Sequence, residues 1–105
     1  MRPVPNGQRW ILRHALGDEI YSLRMLTGFG KRHWLAQEIK TSIPTVAAME
    51  KGRPTEHATV NVLKKMAQAF SLQLSIEIDG EQIFPDEAVR LEELITMGAQ
   101  VTFIN

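Results

Sequence analysis

The sequence predicts a mainly α-helical protein that ends in a small β element. Two observations predict it. Apolar residues recur at helical spacing, between recognisable starts and stops, as far as Phe70. From Leu72 onward the period drops to two, and an Asp79-Gly80 pair marks a tight turn within that stretch. The predicted order is four helices, a hairpin, a further helix and a last strand.

The first helix is signalled by Asp18, followed by Ile20, Leu23, Met25 and Leu26, and ends at Thr27-Gly28. Residues 1–15 form an N-terminal arm, in which residues 8–15 either extend this helix or stand apart; Trp10, Ile11 and Leu12 need cover in both cases. Gly28-Phe29-Gly30 is a break. A second short helix over residues 31–39 turns Leu35, Ala36 and Ile39 inward. Lys40-Thr41-Ser42 is a tight connection in which Ser42 serves as N-cap, and Pro44 falls in the first turn of the next helix, where its missing N–H costs nothing. The third helix, residues 43–51, buries Val46 and Met49 and stops at Gly52. Thr59 caps a fourth helix with Val60, Leu63, Met66, Ala67 and Phe70 on one face. Leu72, Leu74, Ile76 and Ile78 then alternate with polar residues, as in a strand with one buried face. Residues 81–84 return antiparallel, Pro85 opens a helix over residues 86–97, and residues 100–104 form the closing strand. The methionines at 25, 49 and 66 sit at core spacing.

The totals narrow the function classes. The chain has 105 residues, the size of one domain, and 44% hydrophobic content supports a packed core. With no cysteine there are no disulfides, thiolate nucleophiles or cysteine-bound zinc, which fits a cytoplasmic setting. No apolar run approaches the roughly 18 residues of a membrane span, and residues 1–7 lack the apolar stretch of a signal peptide. The formal net charge is zero, but it is polarised. Residues 31–53 carry Lys31, Arg32, Lys40, Lys51 and Arg53 against Glu38 and Glu50. Residues 77–93 carry Glu77, Asp79, Glu81, Asp86, Glu87, Glu92 and Glu93 against Arg90. A phosphate-facing region and a solvent- or partner-facing one is one reading of this; ordinary solvated charge is the other.

The informative stretch is residues 32–52. Two short helices crossing at a tight turn need a small residue in the first, here Ala36, and apolar residues at fixed offsets to lock the crossing, here Leu35, Ile39, Val46 and Met49. With "LGDEIYSLR", "WLAQEI", "TVAAMEKG" and "VLKKMAQAFSLQLSI" in that order, residues 16–78 resemble the Xre, or Cro/cI repressor, family of helix-turn-helix domains. The strand-like ending Leu72-Gln73-Leu74-Ser75-Ile76 resembles its HipB-like antitoxin branch. The resemblance implies a four-helix DNA-binding domain over residues 16–71, with residues 72–105 as an extension for dimerisation or partner binding. It implies that the third helix enters the major groove with Ile43, Pro44, Thr45 and Ala48 facing bases. It further implies phosphate contacts from Lys31, Arg32, Thr41, Ser42, Lys51 and Arg53, and a structural ion pair between Arg24 and Glu50. The chain departs from the family at Arg32, where a glutamine is usual, and at Lys40, where a turn glycine is common and a left-handed conformation is expected to cost roughly 1 kcal/mol. None of the base-facing positions is Arg, Asn or Gln, so direct readout is meagre, and specificity falls to shape, water or an arm carrying Arg2 and Arg9.

The expected function is that of a double-stranded-DNA-binding transcriptional repressor. A finer expectation is an antitoxin, of bacterial, phage or mobile-element origin, that represses its own operon and binds a cognate toxin. The alternative is a protein-interaction module on a helix-turn-helix that has lost DNA binding. A homodimer is expected because one recognition helix reads only a few base pairs, and because a strand over residues 72–78 with an open edge invites pairing between protomers through Leu72, Leu74, Ile76 and Ile78. Truncation after Phe70 is then expected to leave a monomer. His14, His33 and His57 are too irregularly spaced for a metal site. Trp34 either packs on the arm or meets a partner. Glu87, Glu92 and Glu93 read as a solvated face, and no serine sits in a nucleophile elbow. No enzyme, cofactor or membrane role is expected.

Overall fold

In a computed structural model, which describes residues 16–53 and 55–105, the chain is mainly α-helical with a small antiparallel sheet. The expected arm over residues 1–15, with Arg2, Arg9, Trp10 and His14, lies outside the described residues, as does Pro54. Among the described residues, helix α1 covers residues 16–26, α2 Arg32–Glu38, α3 Ile43–Glu50, α4 Val60–Ala69 and α5 Leu91–Thr96. Strands β1 (Gln73–Ile78), β2 (Glu81–Gln82) and β3 (Gln100–Ile104) form one sheet in the order β2-β1-β3, both pairings antiparallel.

Local chemistry accounts for most of these boundaries. Ser42 and Thr59 cap α3 and α4, their hydroxyls accepting from the N–H of Thr45 (3.2 Å) and Val62 (3.4 Å). The Asp79-Gly80 turn has positive φ at both residues, 51° and 82°, as a type I′ hairpin requires. The return strand is shorter than expected, since only Glu81 and Gln82 pair as β2, although the Ile83 N–H still donates to the Ile76 carbonyl at 2.8 Å.

Two expectations about the helices are corrected. Met25 and Leu26 are not inward: they are 48% and 81% exposed. The buried stripe of α1 runs through Leu16, Ile20 and Arg24, four residues apart, and positions 25 and 26 fall off that stripe. The helix expected over residues 86–97 forms only as α5. Residues 86–90 are extended or turned because α4 uses their backbone: the N–H groups of Val60 and Asn61 donate to the carbonyls of Val89 (2.8 Å) and Glu87 (3.0 Å). Those are orphan donors of the first turn of α4, and satisfying them keeps the preceding loop out of a helix.

The sheet and helices share a core. Leu91, Ile95 and Phe103 belong to the same buried cluster as Ile20, Leu35 and Met66, and Phe103 meets the Phe70 ring edge-on, centroids 5.7 Å apart. Residue 71 thus marks a change of secondary structure, with no break in the packing. A second cluster joins Val60, Ile76, Leu94 and Ala99 between α4, β1 and α5. β1 is the middle strand: β3 pairs with it from Gln73 to Glu77, whereas β2 pairs only with Glu77 and Ile78. Ile76 is buried, and Leu72, Leu74 and Ile78 pack against the two clusters. Of the four residues expected to pair between protomers, Ile76 is thus enclosed in the core, and Leu72, Leu74 and Ile78 lie half-buried against it.

Candidate nucleic-acid interface

α2 and α3 are joined by residues 39–42. The reversal depends on Lys40, which adopts φ 56°, and on the Thr41 N–H reaching back to the Ala36 carbonyl at 2.9 Å. A left-handed lysine costs roughly 1 kcal/mol relative to glycine. Here it lets α2 end on a closed turn and hands the chain to Ser42. The Ser42 hydroxyl lies 2.7 Å from that of Thr45 and caps its N–H, so these two side chains serve each other.

That geometry separates α3 into two faces. Thr45, Val46, Met49 and Glu50 are buried. Ile43 is 50% exposed, Pro44 and Lys51 are exposed, and Ala47 and Ala48 are half-buried. Three of the expected base-facing residues, Ile43, Pro44 and Ala48, lie on the outer side. Thr45 does not: at 2% exposure it is a core and capping residue. The spacing carried that signal, because Thr45 precedes the inward Met49 by four residues. The same arithmetic places Ala47, which sequence reasoning passed over, beside Pro44, Ala48 and Lys51 on the outer stripe. This stripe bears methyl and methylene groups and a cation at its end, with no amide or guanidinium for bidentate base recognition.

Beneath it lies a buried charge cluster. The Arg24 Nε donates to Glu50 Oε2 at 2.6 Å, its Nη2 donates to Oε1 at 3.2 Å, and its Nη1 donates to the Phe29 carbonyl at 2.9 Å. The Arg24 and Glu50 side chains are only 5% and 3% exposed. This pairing ties α1 to the end of α3 and to the break before α2, and a buried carboxylate requires such partners. Sequence reasoning did not foresee a third member. Arg32 Nε donates to Glu50 Oε1 at 3.1 Å from a side chain 38% exposed, so the start of α2 abuts the end of α3. Also unforeseen is Gly17. A Cβ there would fall on the Glu50 carbonyl oxygen and lie 2.9 Å from the Met49 carbonyl oxygen, so the glycine permits the close approach of α1 to α3.

Of the other cations, Lys31, Lys51 and Arg53 are exposed. Lys31 Nζ lies 5.9 Å from the Trp34 ring centroid, and Trp34 is itself 46% exposed with His33 edge-on beside it. Thr41 is half-buried, and the Ser42 hydroxyl is engaged in the cap. Among the described residues no group of three or more His, Cys, Asp or Glu side chains converges, and no helix is long and apolar enough to cross a membrane. Comparisons of the chain with protein-family models, curated proteins and solved structures return no match.

Proposed function

We propose that this protein is a double-stranded-DNA-binding transcriptional regulator, a repressor, acting through a helix-turn-helix of the Cro/cI type made by α2 and α3. The observation that carries the reading is the outer face of α3. Among the described residues nothing buries Ile43 or Pro44 and Ala47 and Ala48 stay half-exposed, and the Arg32–Glu50 contact draws Arg32, with Lys31 before it, to the end of the helix from which Lys51 and Arg53 follow. Cations at that end suit phosphates, while Ile43, Pro44, Ala47 and Ala48 suit the thymine methyls of a major groove. Readout of this kind is weak per residue, so DNA shape and a second protomer would supply much of the specificity. The finer reading of an autoregulating antitoxin with a cognate toxin rests on the HipB-like resemblance of the sequence alone.

One observation favours a second reading. The outer stripe of α3 holds no polar base-reading side chain, as would be true of a protein-interaction module that no longer binds DNA. Titrating the full chain with a pool of random duplexes across a range of salt separates the two. DNA binding predicts an affinity that falls with a log–log slope of about −3 to −4 per protomer if the four cations each neutralise one phosphate. Lys51→Ala should then weaken all sequences alike, whereas Ala48 or Ile43 substitutions should reorder them. No retained duplex at low salt would overturn the proposal in favour of the interaction module.

A further inference from the structure

The buried cluster holds one more positive charge than its own pairing requires. Arg24 alone satisfies Glu50 in charge and binds it through two N–H groups, with a third N–H on the Phe29 carbonyl. A brace between α1 and α3 is complete at that point. Arg32 adds a second guanidinium to the same carboxylate, using only Nε. Of the five N–H donors of an arginine, the four on its two terminal nitrogens have no partner among the described residues. The side chain is 38% exposed, against 3% for the carboxylate that holds it. It is thus anchored from inside and open toward solvent, at the junction of α2 and α3.

We infer that Glu50, through Oε1, is a positioning residue that pre-orients Arg32, turning the phosphate contact proposed above for that arginine into a two-pronged clamp on a backbone phosphodiester. This rests on the DNA-binding reading above and deepens it. A free arginine loses rotamer freedom when it grips a phosphate; one held at Nε by a buried carboxylate has lost much of it already, and its terminal fork matches two phosphate oxygens. The carboxylate has two tasks. Oε2 and part of Oε1 hold the fold together through Arg24, and the remainder of Oε1 aims Arg32. A lysine at position 32 keeps the charge but can offer neither the Nε anchor nor the two-pronged contact.

Arg32→Lys, Arg32→Ala and Glu50→Gln in the full chain test this, each measured for duplex affinity across a salt series and for thermal stability. Arg32→Ala should lower affinity about tenfold or more at fixed salt and reduce the salt slope by about 0.9. Arg32→Lys should keep the slope and still lose most of that affinity, because the charge remains and the geometry is gone. Glu50→Gln removes a negative charge beside the DNA, which by simple electrostatics strengthens binding; the clamp predicts that it weakens. Should Glu50→Gln fail to fold through loss of the Arg24 brace, Arg32→Lys decides the matter. Wild-type affinity and slope in the folded Arg32→Lys and Arg32→Ala variants would overturn the clamp while leaving DNA binding intact. A wild-type protein that binds no duplex would overturn both.

Discussion

Gly17 sits where α1 crosses the end of α3, and a side chain there has no space. Replacing it with alanine should cost about 1–3 kcal/mol, the range for forcing a methyl against fixed backbone, with a matching fall in the urea midpoint; unchanged stability would mean that the helices separate freely. Glu19 presents a different case. Its Oε1 accepts the Phe103 N–H at 3.3 Å, and burial raises its pKa above the ordinary carboxylate value while that hydrogen bond works in the opposite direction. A carboxyl with a higher pKa in the folded chain than in the unfolded one stabilises the fold below its unfolded value and loses that contribution as pH rises through the folded one. At neutral pH the ionised side chain is therefore a cost. Glu19→Gln keeps the acceptor and should be at least as stable as wild type at pH 7, with the difference shrinking as pH falls toward about 4. A difference that instead grows on acidification would contradict the assignment.

At the scale of the elements, the α2–α3 turn is where sequence and conformation are in tension. Lys40 holds a backbone region that favours glycine, φ 56°. Lys40→Gly should raise stability by about 0.5–1 kcal/mol, the left-handed strain relieved less the extra freedom of the unfolded chain. Chemical denaturation reads this directly, and a lower midpoint would show that the lysine side chain contributes more than its backbone costs. α5 makes the complementary point. Its sequence continues helical signals back to Pro85, yet the loop before it is held open by bonds to α4. The carbonyls of Glu87 and Val89 satisfy N–H groups that α4 cannot pair for itself, and Leu91 N–H donates to the Ala58 carbonyl at 2.7 Å.

For the whole molecule, the shared core changes what truncation should do. With the sheet drawn as a separate dimerisation element, a chain cut after Phe70 would be a folded monomer. Leu91, Ile95 and Phe103 are buried in the same cluster as the helices, and each such side chain contributes about 1.5–3 kcal/mol. Their joint loss is comparable with the roughly 5–15 kcal/mol that stabilises a domain of this kind. The cut chain is expected to lose cooperative thermal unfolding and native NMR dispersion. A sharp melt in residues 1–70 would show that the helices need no sheet. Of the residues expected to pair between protomers, Ile76 is enclosed by the protein's own core, whereas Leu72, Leu74 and Ile78 are half-buried.

Periodicity and turn chemistry made much of the architecture legible in the sequence: the inward face of α4, the caps Ser42 and Thr59, the Asp79-Gly80 hairpin, the strained Lys40, and the proximity of Arg24 and Glu50 implied by resemblance. These depend on residues near one another in the chain, or on offsets along a single helix, which a sequence displays. Only the tertiary structure decided that β1 lies between two strands, that residues 86–90 serve α4, and that Arg32 reaches Glu50. Each of those is settled by competition among distant groups for one buried acceptor, one sheet edge or one set of orphan N–H donors. No local pattern records which competitor prevails.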